Sequence, residues 1–567
     1  MPLLFEIYSG GRRLTDYLVR GGHATGPESL PLAGRVAFEE GLLRVEVGES
    51  DVIDPYGASS DPGDEAAAYA NRPADAPAVG VSLLWDAGSA GEYVLETPRL
   101  PPTHEPYILN VELARHRLMR LMQKQEDWNL WDLTPAAGAV ARAKSAMLIF
   151  AEALSLLDDR PAASMKADEA LAVAIQAGEM LARVHGDLLM QRRRRAGLPR
   201  TLFGVRADVT GNAPLGNAAY RSAILKHFDC VSVPMPWRLM QPEEETFETA
   251  SVDAAVDLAA RAKLPIVAGP LIDLSDTPEP AGKSGSGGGA LTAGGVPEWL
   301  FLYENNFEAL RDLAFNYVRA IVQRYRRVVK LWNVVSGIHA AQSFGLTFEQ
   351  MIELTRLLVG QVKAVLPGAK TLVTIRQPFG EYLTAASGSA TAVPPMLYAE
   401  MVSQSGVQVD GFGVEIVTGR PTHGRRVRDL FQISAMLDRF ATLGKPLFVT
   451  SVSCPDTTGG DAGKAGRWAG PWSREVQAAW LRDVYNVSLA KPYVENVAWS
   501  DLVDGPHNQI DGGGLLDDLL VAKPAAQTLQ QIRSAARPYL RAGRGTVANA
   551  PAAAASREAG TPSGSRS

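Results

Sequence analysis

The 567-residue sequence holds only two cysteines, Cys230 and Cys454. Two thiols make no disulfide framework, and neither sits among residues at zinc-ligand spacing. Excess charge of one sign is also missing. Lys and Arg number 56 against 62 Asp and Glu, a formal net charge of −6. A general nucleic-acid binder needs a basic face to displace counterions, so nucleic acid is not an expected partner. No stretch approaches the roughly 20 apolar residues of a membrane span. The opening Met1-Pro2-Leu3-Leu4-Phe5-Glu6 lacks the basic and apolar regions of a signal peptide. A cytoplasmic location without membrane contact is the expectation.

What is present is a globular composition, 46% hydrophobic and 21% charged, in a chain long enough for two or three cores. Residues 1–110 carry short period-two runs such as Leu43-Arg44-Val45-Glu46-Val47 and Val79-Gly80-Val81-Ser82-Leu83-Leu84-Trp85. They predict a small β-sandwich, interrupted by a polar loop from Asp51 to Pro77. Residues 111–200 turn helical and Ala-, Leu- and Met-rich, with Pro161 dividing them, and predict a helical connector. The run Arg192-Arg193-Arg194-Arg195 closes it and reads as a solvent-facing helix C-terminus. Residues 541–567 and the Gly/Ser-rich Ala281–Gly295 have no periodicity and read as disordered.

Between residues 201 and 540, short β-branched runs alternate with amphipathic helices. The strands expected are Leu202–Val205, Cys230–Val233, Ile266–Ala268, Val328–Val335, Thr371–Ile375, Gly411–Ile416, Leu447–Ser451 and Val494–Trp499. Helices such as Phe307–Tyr325, Phe348–Val365, Val427–Leu443 and Val476–Leu489 fall between them. Eight such units predict an α/β fold, a (β/α)8 TIM barrel. An open doubly wound sheet is the alternative, but no Gly-x-Gly-x-x-Gly turn follows the first strand.

Seven motifs in order resemble glycoside hydrolase family 10, the xylanase family. Trp237 and Pro242 fit the segment after the second strand, and Val296-Pro297-Glu298-Trp299-Leu300 the Pro-x-Trp after the third. Trp332-Asn333-Val334-Val335-Ser336-Gly337 resembles the fourth-strand Trp-Asp-Val-Val-Asn-Glu. Asp410-Gly411-Phe412-Gly413-Val414-Glu415 is similar to the sixth-strand Asp-Gly-Ile-Gly-Leu-Gln, and Lys445-Pro446-Leu447-Phe448-Val449-Thr450-Ser451 to the seventh, which ends Ile-Thr-Glu. Val497-Ala498-Trp499-Ser500-Asp501, and then Gly514-Leu515-Leu516-Asp517 with Lys523-Pro524-Ala525, look like the closing strand and helix. The resemblance implies a retaining mechanism, with nucleophile and acid/base carboxylates about 5–5.5 Å apart. Here the acid/base position falls on Gly337 and the nucleophile on Ser451. Without the acid/base group alone, typically ~10²–10⁴ in rate is lost.

Barrel ligands bind at the C-terminal ends of the strands. Glu381 and Glu415 stand there and are candidates for a relocated catalytic pair; alternatively, Glu381 caps a loop or pairs with Arg376, and Glu415 pairs with an arginine from Arg425-Arg426. Trp237, Arg376, Gln377, Tyr382, Trp468, Trp472, Trp499, Asp501 and His507 are candidates for sugar contacts, though Trp468 and Trp472 also suit loop anchoring. His339, His423 and His507 follow strands at the same rim without a ligand spacing, so neither a metal nor a cofactor is expected. Cys454 reads as a small buried thiol. Three functions remain open: a carbohydrate-binding barrel, inactive or weakly active and taking oligo- or polysaccharide; a glycoside hydrolase using relocated carboxylates; and a structural or interaction protein whose partner the residues do not specify.

Overall fold

The computed structural model describes residues 2–47, 78–197, 201–210, 214–278, 291–293, 295–341, 343–385, 392–506 and 508–536. The expected loop between Asp51 and Pro77, most of the Gly/Ser-rich insertion, and the tail lie outside them. Part of the insertion's end is described, because Leu291–Ala293 pairs antiparallel with Asp276–Pro278.

Eight parallel strands form the barrel: β1 (Leu202–Arg206), β2 (Cys230–Val233), β3 (Ile266–Ala268), β4 (Leu331–Ser336), β5 (Lys370–Ile375), β6 (Gly411–Val417), β7 (Leu447–Ser453) and β8 (Val494–Trp499). Each pairs with the next, and β8 pairs with β1 through Phe203 and Val497, so the ring is closed. Val267, Leu372 and Phe448, from the alternate strands β3, β5 and β7, form a small interior cluster of their own. The fourth strand begins later than expected, at Leu331, because the N–H groups of Val328 and Val329 are still bonded to the carbonyl of Tyr325, the last residue of the preceding helix.

One irregularity aims a side chain at the mouth. Val414 pairs with Val449, but Glu415 pairs with Ser451. The extra residue, Thr450, bends β7, and such bulges re-aim the residues that follow.

Among the described residues before the barrel stand a two-stranded hairpin of Tyr8–Ser9 and Arg12–Arg13, two larger sheets and three α-helices. Leu3–Glu6, Leu42–Glu46, Arg35–Glu39 and Tyr107–Ile108 form the first sheet. Gly80–Asp86, Gly91–Glu96, His23–Thr25 and Pro31–Leu32 belong to the second. Its fifth strand comes from the loop after β7: Arg467 and Trp468 pair with Glu92 and Gly91. The N-terminal β region is therefore completed by the barrel chain, which the reading of 1–110 as a separate sandwich did not anticipate.

The helices are α1 (Leu109–Asp127), α2 (Ala137–Ser155) and α3 (Arg160–Arg195). Asp159 caps α3 by accepting from the Ala162 N–H, and Pro161 fits its first turn, where no donor is needed. The buried face of α3 is small, with Ala163, Ala167, Ala170, Ala174 and Ala177 allowing close helix packing. It lies against barrel helices α4 (Leu430–Ala441) and α5 (Arg474–Ala490). At Gly186 an added Cβ would stand 3.6 Å from the Val487 backbone. Glu179 of α3 accepts from the Leu430 N–H at 2.8 Å and from the Trp468 indole at 3.1 Å. The basic run that ends α3 is not wholly solvent-facing: Arg193 is buried and donates to the Leu489 and Lys491 carbonyls. Those carbonyls end α5, where a guanidinium satisfies acceptors left open by the helix. Among the described residues no helix is long and apolar enough to cross a membrane.

Candidate functional site at the barrel mouth

The mouth is organised by Arg376, the residue directly after β5, which is buried. Its Nη1 donates to Asp273 Oδ2 at 3.0 Å and to the Ser275 hydroxyl, and its Nε faces Glu415 at 3.4 Å. Arg425 holds the same Glu415 from the β6 loop at 3.0 Å. Burial pushes the Glu415 carboxyl up, but the Arg376 and Arg425 guanidiniums outweigh it and the net shift is downward. His339 meets the Arg376 carbonyl oxygen at 3.1 Å through Nε2, and burial draws its pKa down to about 4.

Two positions where the resemblance demands carboxylates hold none, and at Gly337 there is no room for one. Gly337 follows β4 with φ 64, a left-handed conformation that favours glycine. A Cβ there would lie 2.5 Å from Ser275 Cβ and 3.0 Å from Arg376 Cδ. Ser451 on β7 donates to the Gln509 amide oxygen at 2.9 Å and bonds the Ser500 hydroxyl at 2.5 Å. Across the mouth, Arg206 at the end of β1 meets Asp501 at 2.5 Å and donates to the Ser500 carbonyl at 2.9 Å. Asp501 also accepts from the Gln509 N–H at 3.1 Å.

Glu381 belongs to a different network. It is 2% exposed, accepts from Arg428 and from the Gly424 N–H at 2.5 Å each, and feels His23 of the N-terminal sheet. Burial raises its pKa, and Arg428, His23 and the Gly424 N–H together bring it down to about 2. Among the described residues Glu381 and Glu415 share no ion-pair or hydrogen-bond partner.

The aromatic candidates lie in the interior. Trp237 is 1% exposed, stacks on Tyr317 at 4.9 Å between ring centroids, and donates to the Gln241 side chain. The Trp468, Trp472 and Trp499 indoles are buried and donate to Glu179, the Gly466 carbonyl and the Gly513 carbonyl respectively. The Tyr382 hydroxyl is buried and donates to the Val393 carbonyl. An indole already bonded inside the fold presents no open face on which a sugar ring stacks. Gln377 is half-buried beside Gly424, with φ 45. His507 lies outside the described residues. Among the described residues there is no group of three or more His, Cys, Asp or Glu side chains able to hold a metal ion. Both cysteines are buried.

The structure therefore brings together Arg376 and Glu415, and separately Asp501 with Ser451 through Gln509 and Ser500. Arg206, Asp273, Arg425 and Gln509 complete these groups; Arg425 was expected as a partner of Glu415, and the other three escaped the sequence reading. Arg206 and Asp273 were within reach of it, because the one follows β1 directly and the other lies just beyond β3, at the end where barrels place their ligands.

No family model matches the sequence, and no curated protein matches it. Among solved structures the chain is similar to native xylanase 10B from Thermotoga maritima, at 15% identity over 61% of this chain and 98% of that one, with a TM-score of 0.43. It is similar to GH10 from Paenibacillus barcinonensis, at 19% identity over 59% and 95% with a TM-score of 0.43. For xylanase B from Clostridium stercorarium F9 the figures are 15%, 60%, 98% and 0.41. The fold rests on the strand pairing of the chain itself, and that pairing is a closed eight-stranded parallel (β/α)8 barrel with a β-rich N-terminal region.

Proposed function

We propose that the barrel binds an oligosaccharide at its mouth and does not cleave it by double displacement. The observation that carries the second half is the pair Gly337 and Ser451. Neither side chain ionises, the first has no room for a longer one, and the second is spoken for by Ser500 and Gln509. A retaining enzyme needs a proton donor and a carboxylate nucleophile across one bond. Glu381 and Glu415 do not supply the donor in this reading, since arginines hold both ionised well below neutral pH.

The first half is supported by the ordered motifs of the sequence and by the polar groups fixed around the strand ends. Arg376, Glu415, Arg206, Asp501 and Gln509 offer both donors and acceptors, the mixture that hydroxyl-rich ligands require. Gln377 would add an amide from the β5 loop.

The test uses the full chain. Calorimetric titration with xylotetraose and cellotetraose should give saturable binding, and aryl xylosides should give no turnover above buffer. Heat-free titrations with both sugars would remove the binding claim. Turnover that survives purification and falls with Glu415→Gln would instead establish the relocated-carboxylate hydrolase.

A second reading, an interaction protein, draws on one feature. The loop after β7, which in a barrel enzyme would line the mouth, is committed as a strand to the N-terminal sheet.

A further inference from the structure

A cavity of about 440 Å³ lies outside the ends of the barrel strands. Its walls are the N-terminal sheet, α1, the loop after β5 and the outer face of α4. Leu95, Leu113, Phe379, Met396, Phe431 and Met436 supply apolar surface. The volume is within the range of small-ligand pockets, roughly 300–1,000 Å³.

Two guanidiniums on its wall are rigidly placed. Arg117 lies over the Phe431 ring at 4.6 Å and is paired with the capping carboxylate Asp429. Arg428 lies over the Phe379 ring at 4.1 Å and is paired with Glu381. In both, the buried Nε has no hydrogen-bond acceptor among the described residues. The wall also carries three carboxylates: Asp438, held by Lys491, Tyr493 and Trp128; Glu28, paired with Arg439; and Glu96, beside His116. On the α1 side, Arg120 holds only the Gln123 amide, and Lys124 pairs with Asp127.

We infer that this cavity is a binding site for a small organic anion with an apolar body, its carboxylate or phosphate directed to the Arg120 side and its body laid against the Phe379 and Phe431 wall. Pre-placed donors and a dry apolar wall lower the ordering cost of binding. The lining cations Arg117, Arg120, Lys124, Arg428 and Arg439 outnumber the carboxylates Glu28, Glu96 and Asp438, so the cavity favours an anion. The site is independent of sugar binding at the mouth.

Benzoate, phenyl phosphate and inorganic phosphate serve as probes, by thermal shift and calorimetry on the full chain. Benzoate or phenyl phosphate should raise the melting temperature saturably at millimolar concentration, and inorganic phosphate at least tenfold more weakly. Arg120→Glu should weaken the organic anion at least tenfold without lowering the melting temperature of the free protein. Ala435→Trp, which fills the cavity without touching a charge, should block binding as well. The inference is overturned by the absence of a saturable shift with both organic anions. Equal affinity for inorganic phosphate, or binding that neither substitution changes, overturns it too.

Discussion

Arg376 closes off the ground beside Gly337: a Cβ on the glycine would stand 3.0 Å from the arginine's Cδ. Restoring a carboxylate there is therefore not a simple exchange. Gly337→Glu, alone or with Ser451→Glu, is expected to cost about 2–4 kcal/mol from left-handed strain and overpacking. It should produce no glycosidase activity. Urea unfolding measures the first, aryl xylosides the second. A stable double variant with turnover would show that the mouth retains the geometry of a retaining enzyme.

Arg376→Ala leaves Asp273 and Glu415 facing one another without the guanidinium between them. Breaking a buried pair from one side typically costs about 3–5 kcal/mol. Arg376→Lys should recover little, because one ammonium cannot reach Asp273, Ser275 and Glu415 at once as the fork does. Denaturation midpoints of the three proteins check this order, and a lysine variant as stable as the parent would contradict it.

Glu381 makes stability depend on acid. Its carboxyl is near 4.5 when unexposed to the fold and about 2 within it. A depressed folded pKa contributes stability that is fully present above 4.5 and is lost as pH falls towards 2. The full effect is roughly 3 kcal/mol by linkage. Glu381→Gln should be less stable than the parent at pH 7, and the gap should narrow on titration from pH 5 to pH 2. A gap constant across that range would remove the carboxylate from the explanation.

Because Arg467 and Trp468 complete the N-terminal sheet, and the Val94 N–H bonds the Val427 carbonyl, the β region and barrel should unfold together. Scanning calorimetry is expected to show one transition. Trp468→Ala, which empties a buried indole site and frees Glu179, should cost about 3–5 kcal/mol. An early, separate transition in the parent protein would mean the two parts fold independently.

Cys230 and Cys454 should be inert to a thiol reagent in the native state and react on unfolding. Burial raises the Cys230 thiol to about 12 and lifts Cys454 well above its ordinary value. Rapid native labelling would place one of them at a surface.

The order of elements was legible in the residues alone. Strand and helix periods are local properties of ten to twenty residues, and the eight β-branched runs, the Pro161 break and the buried thiols follow from them. The absence of both family carboxylates was equally plain at Gly337 and Ser451. What the chain's pattern did not disclose was pairing over long distance. Glu415 pairs with Arg425 as expected, but Arg376 joins it there, and Arg428 in place of Arg376 takes Glu381. The tryptophans looked like sugar platforms because an indole suits a cleft and a core equally, and only the acceptor it meets decides which. Partners lie 10 positions away, as Arg425 from Glu415, or 289, as Glu179 from Trp468, and the tertiary structure alone assigned the distant ones because nothing local encodes them.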